Sequence, residues 1–157
     1  MTQGRISSLY RINPFEFAER RQRLSGSLSL DHMLRLKPLC SADGALGAVQ
    51  ISLEGGQDLE GFPYLKGRCE TVLHLSCQRC LGAMDYPISV EFFVSPIKKE
   101  QEAHTVPTCY EPVCVAEDDM LSVSDLFEDE LILGLPLVAK HDEAVCPVQV
   151  SVVVSKE

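Results

Sequence analysis

A chain of 157 residues with 45% apolar side chains is long enough to bury one hydrophobic core and too apolar to stay disordered. Its formal charge of −9 repels polyanions at long range, and no stretch reaches the roughly 20 apolar residues that a membrane-spanning helix needs. There is no tryptophan, aromatic residues make up 6% of the chain, and no apolar run near the start has the form of a secretory signal, so a stacking platform and a secreted scaffold both fit poorly.

The first eleven residues read as a loose arm or a short edge strand. Asn13-Pro14-Phe15-Glu16 is a helix start, with Asn13 as the cap, Pro14 at the first helical position and Glu16 where a capping box places its carboxylate. The pattern carries this helix to about Leu24, with Glu19, Arg20, Arg21 and Arg23 in solvent. After Gly26, Ser29 caps a second short helix through Met33 and Leu34, with Asp31 in its first turn.

From Leu46 the period changes to two. Val49, Ile51 and Leu53 alternate with polar residues, and Gly55-Gly56 reads as a turn. Leu65, Gly67, Cys69, Thr71, Leu73 and Leu75 then share one face of a longer strand. That strand leads to Cys77-Gln78-Arg79-Cys80, beyond which Tyr86, Ile88, Val90, Phe92 and Val94 form a third strand, stopped by Ser95-Pro96. An antiparallel hairpin across the cysteine knuckle is the natural geometry. Residues 97–108 read as a flexible polar loop, residues 110–113 as extended chain and residues 117–119 as an acidic turn. Ser122 or Ser124 caps a helix through Leu133, whose apolar face is Val123, Phe127 and Leu131 and whose wet side holds Asp125, Glu128 and Asp129. Gly134 and Pro136 end it, and Val148, Val150, Val152 and Val154 suggest a last strand. The expected architecture is α+β, a single domain over residues 1–157 with an antiparallel sheet and three or so short helices.

Charge is unevenly distributed. Residues 1–37 carry a net +4 and residues 38–157 a net −13, so an RNA-facing surface, if one exists, falls to Arg20, Arg21 and Arg23. Seven cysteines in a domain of this size suit a reducing compartment, hence a cytoplasmic protein. Cys77 and Cys80 have the spacing of a tetrahedral knuckle, and His141 with Cys146 would complete a zinc site. The alternative is a set of reduced, partly buried side chains, and Cys69 on the apolar strand face belongs to the core. A redox role fits less well, because the knuckle lies between two strands rather than before a helix. No catalytic motif and no phosphate loop is present; Glu128, Asp129 and Glu130 read as ordinary acidic surface.

Several segments together resemble the bacterial YceD family, the large ribosomal RNA subunit accumulation proteins. They are Leu75-Ser76-Cys77-Gln78-Arg79-Cys80-Leu81, then residues 110–113, and above all residues 125–136 with their Glu128-Asp129-Glu130-Leu131 core. The likeness covers most of residues 65–146. It implies a factor in large-subunit ribosomal RNA accumulation or precursor processing; with no catalytic motif and no membrane-spanning run, the expected factor is non-enzymatic, with no membrane or small-molecule partner. The acidic helix then implies adaptor contacts from Asp125, Glu128 and Asp129 to a basic ribosomal protein or assembly factor. Two alternatives stand beside it: a zinc-containing module binding ribosomal RNA precursor directly, and an interaction module unrelated to ribosomes.

Overall fold

The computed structural model describes residues 4–40 and 47–140. Its centre is a six-stranded sheet in the order β1-β3-β4-β5-β6-β7. The strands are β1 (Gly4–Arg5), β3 (Arg23–Ser29), β4 (Ala48–Gln57), β5 (Pro63–Ser76), β6 (Ala83–Ile97) and β7 (Glu111–Cys114), while β2 (Arg11–Ile12) pairs separately with β8 (Leu121–Ser122). The helices are α1 (Pro14–Glu19) and α2 (Val123–Leu133), with 3-10 turns at Leu30–His32, Lys37–Leu39 and Glu100–Thr105. The α+β class holds. The sheet, however, is mixed: its four central strands run antiparallel, but β1 joins β3 and β7 joins β6 in parallel.

Alternation places Val49, Ile51, Leu53, Leu65, Cys69, Leu73, Leu75, Ile88, Phe92 and Val94 in the core, as period-two patterning requires of a sheet covered on one side. Phe17 of α1 and Val123, Phe127 and Leu131 of α2 belong to the same core, with Met33 and Leu36 from the connection between β3 and β4. The rings of Phe92 and Phe127 meet edge-on at 5.3 Å. Gly67 pairs with Phe92 across the ladder, and a Cβ at Gly67 would stand 2.0 Å from the Phe92 ring. The missing side chain is therefore what lets the ring lie across β5 toward α2.

Several local readings change. Asn13 does cap α1, accepting from the amides of Phe15 and Glu16 at 3.1 and 3.2 Å, but the helix stops at Glu19. Arg20 closes it, Arg21 takes φ 50°, and Arg23 already begins β3, so the three arginines span a turn and a strand start rather than one helix. Gly26 lies inside β3, not after a helix: a Cβ there would sit 2.4 Å from the Gly4 carbonyl, so glycine is what admits β1. Gly55 and Gly56 are strand residues, paired with Leu65 and Tyr64 of β5, and position 55 is glycine because a Cβ there would sit 2.4 Å from the Phe17 carbonyl. The turn instead follows at Asp58, whose carboxylate accepts the amides of Glu60 and Phe62. Finally, β6 runs through Ser95-Pro96 to Ile97. Pro96 is tolerated because the β5 ladder begins at Leu65–Val94 and leaves no β5 partner opposite it. Residues 97–108, read as a loop, contain the turn Glu100–Thr105. The expected strand of Val148–Val154 lies outside the described residues.

Candidate interaction site

The helix α2 starts as expected, with the Ser122 hydroxyl accepting from the Asp125 amide at 3.3 Å. Its acidic side is not uniformly wet. Glu128 is only 3% exposed, which corrects its assignment to the solvent face. One of its oxygens accepts the backbone amides of Arg35 at 2.8 Å and Leu36 at 3.2 Å. The other meets the Arg35 guanidinium, with Nε at 3.1 Å and Nη2 at 3.0 Å. The same guanidinium reaches Asp129 and the Asp125 carbonyl. Glu128 is thus committed within the molecule and unavailable to a partner, Asp129 is ion-paired, and the Asp125 side chain stays exposed.

Glu130 is the second buried acid, 9% exposed, and no donor or cation meets it among the described residues. Burial, then the charges of Glu111 and Asp129, push its carboxyl up to about 7. Glu130 follows Leu126 and Phe127 by four and three residues, so its place on the apolar stripe was visible in the sequence; three consecutive acids masked it. With Glu111, Val113, Leu126, Asp129 and Leu133, it lines a groove between α2 and β7, which is the last strand of the sheet among the described residues.

At the hairpin tip Cys77 is buried and Cys80 half-buried. The Leu81 amide donates to the Cys77 carbonyl at 2.8 Å, Leu81 takes φ 59°, and the Gly82 amide points at the Cys80 sulfur at 3.4 Å. Backbone amides directed at the sulfurs are the arrangement by which a metal knuckle holds its ligands. The Gln78 amide also donates to the Ala139 carbonyl at 2.8 Å, which brings the chain to the knuckle two residues before His141. No group of three or more His, Cys, Asp or Glu placed to hold an ion occurs among the described residues; His141 and Cys146 lie outside them.

Arg20 pairs with Glu16 at 2.9 Å and Arg23 lies 3.7 Å from Glu54, whereas Arg21 has no ion-pair partner among the described residues. On the sheet face opposite the helices, Lys66 pairs with Glu91 at 3.5 Å and Arg68 with Glu70 at 3.0 Å. Those exposed pairs contribute little to stability, but they locally cancel positive field. No helix of the described residues is long and apolar enough to cross a membrane.

Comparison with known proteins places these features in a lineage. The family model for "Large ribosomal RNA subunit accumulation protein YceD" matches residues 65–156. The protein of that name from Haemophilus influenzae is 31% identical over 137 residues, which cover 87% of this chain and 78% of the relative. No solved structure matches.

The Glu130 carboxyl sets a pH dependence. Its value of about 7 in the folded chain exceeds the ordinary 4.5, so between these pH values the folded state holds more protons than the unfolded one and stability falls as pH rises. Glu130→Gln should therefore flatten that decline, being more stable than the parent near pH 8 and converging with it toward about pH 4.5. Denaturant titrations across the range check this; parallel pH profiles for the two proteins would contradict it.

Proposed function

This chain belongs to the YceD family of large ribosomal RNA subunit accumulation proteins, and on that premise we propose that it is a non-enzymatic factor in large-subunit assembly, acting as an adaptor on a basic ribosomal protein or assembly factor. The observation that carries the adaptor reading is the asymmetry of charge compensation. Two of the three N-terminal arginines are matched by Glu16 and Glu54, while Glu111 and Glu130 beside the α2–β7 groove are not matched by a cation among the described residues. Uncompensated acid at a surface favours a basic partner and steers its approach.

Direct contact with ribosomal RNA precursor is the second reading, favoured by Arg21, which is exposed and has no ion-pair partner among the described residues, beside Arg20 and Arg23. The two readings separate on recovery of the native protein from cells, with and without ribonuclease treatment. The adaptor reading expects ribosomal proteins or assembly factors that survive ribonuclease and persist in a variant with Arg20, Arg21 and Arg23 changed to glutamate. Recovery lost in both arms moves the function to direct RNA contact, and recovery of no ribosomal component removes the ribosomal reading.

The knuckle belongs to the same proposal as a structural zinc site, with Cys77 and Cys80 as two ligands and His141 and Cys146 as the others. Bound there, zinc supplies a cross-link between the hairpin tip and the chain after α2, and no chemistry on a substrate. The purified full chain should carry about one equivalent of zinc, as such a four-ligand site holds, and a Cys77→Ser/Cys80→Ser variant should lose it and melt at lower temperature. Zinc content unchanged in that variant, or metal-free protein with an unaltered melting temperature, would sink the assignment.

A further inference from the structure

The groove beside the outer edge of β7 holds a group whose environment is incomplete among the described residues. Glu130 is nine-tenths buried without a donor or cation among the described residues, so partial desolvation disfavours its charged form until a donor arrives or it takes up a proton. Glu111 stands beside it on β7, exposed and also without an ion-pair partner among the described residues. Arg35, at the same groove, is already committed to Glu128 and Asp129. Leu126, Val113 and Leu133 supply apolar lining, and Leu133 is 68% exposed.

We propose that this groove docks an extended basic segment of a partner protein, one arginine or lysine of which enters between Glu111 and Glu130. The chemistry matches at both ends of such a side chain. Its methylene stem lies along Leu126, Val113 and Leu133, and its cationic head supplies the donors that Glu130 lacks. No strand lies beyond β7 among the described residues, so an extended chain can run alongside it, although Pro112 removes one donor from that edge. The net charge of −13 after residue 37 adds long-range attraction for the same kind of partner. The proposal rests on the adaptor reading and deepens it, assigning the contact to Glu111 and Glu130 in place of Asp125, Glu128 and Asp129.

The test is an NMR titration of the labelled full chain with a blocked heptapeptide alternating arginine and valine, against its citrulline counterpart. Amide shifts should concentrate at residues 111–113 and 126–133. Affinity should fall by about tenfold or more, the ~1.4 kcal/mol of a charge-assisted contact, with the citrulline peptide and in Glu111→Gln/Glu130→Gln. Should Glu130→Gln disturb α2, the exposed Glu111→Gln alone must still weaken binding. Equal binding by both peptides, undiminished binding in the variants, or shifts elsewhere on the sheet would overturn the groove, as would the same shifts on concentrating the protein alone, which indicate a second copy. Recovery from cells, run in parallel with the double variant, separates the two levels. Ribosomal proteins retained by that variant defeat the groove and leave the ribosomal reading standing. Peptide binding that behaves as stated, with no ribosomal component recovered by the parent, upholds the groove and defeats the ribosomal reading.

Discussion

The buried carboxylate of Glu128 organises the side of the domain that carries the groove and the chain leading to the knuckle. It accepts two consecutive backbone amides, those of Arg35 and Leu36, and faces the guanidinium of Arg35. A buried charge is tolerated when its lone pairs are filled in this way. The contact joins positions more than ninety residues apart and seats Met33 and Leu36, both fully buried, in the core that contains Phe127. With α2 fixed there, Glu130 falls at the groove beside β7, and the chain leaving the helix reaches the knuckle through the Gln78–Ala139 hydrogen bond.

Three neighbouring acids thereby acquire three different roles. Glu128 is consumed by the fold, Asp129 shares Arg35 with it, and Glu130 is buried with its charge unanswered among the described residues. A helix surface that reads as uniformly acidic is in energetic terms sharply divided, because an exposed ion pair contributes at most about 1 kcal/mol while a buried carboxylate is governed by desolvation. The same distinction separates the N-terminal arginines from the groove. Arg20 and Arg23 make exposed pairs that a polyanion can displace cheaply, whereas Glu130 is relieved by a donor or by a proton.

Much of this fold is legible in the sequence, and the unread parts share a cause. Alternation revealed the long strands β4, β5 and β6, and caps revealed both helix starts, since these signals are local. The strand β3 was hidden because Ser25-Gly26-Ser27-Leu28-Ser29 has weak strand propensity, and its glycine serves the neighbouring β1 rather than a turn. Gly55 misled in the same way, its reason being the Phe17 carbonyl nearly forty residues earlier. Parallel pairing of β7 and the Arg35–Glu128 contact depend on distant partners that no window of sequence contains. At the candidate site the knuckle spacing was visible, as was the family resemblance that Glu128-Asp129-Glu130-Leu131 carries. Which of those acids is buried was not, because helical periodicity assigns a face but not the partner waiting there.

The central claim is that Glu128 is a structural acceptor and not a docking residue, and hydrogen exchange combined with denaturant unfolding tests it most directly. Glu128→Ala leaves two amides without their acceptor, removes one of the two carboxylates on the Arg35 guanidinium, and should cost about 3 kcal/mol, with protection lost first at Arg35 and Leu36. Glu128→Gln, which keeps one acceptor oxygen for the amides, should restore part of that stability and protection. A Glu128→Ala protein within about 0.5 kcal/mol of the parent, the range of an ordinary surface substitution, with Arg35 and Leu36 exchanging at unchanged rates, would contradict the account.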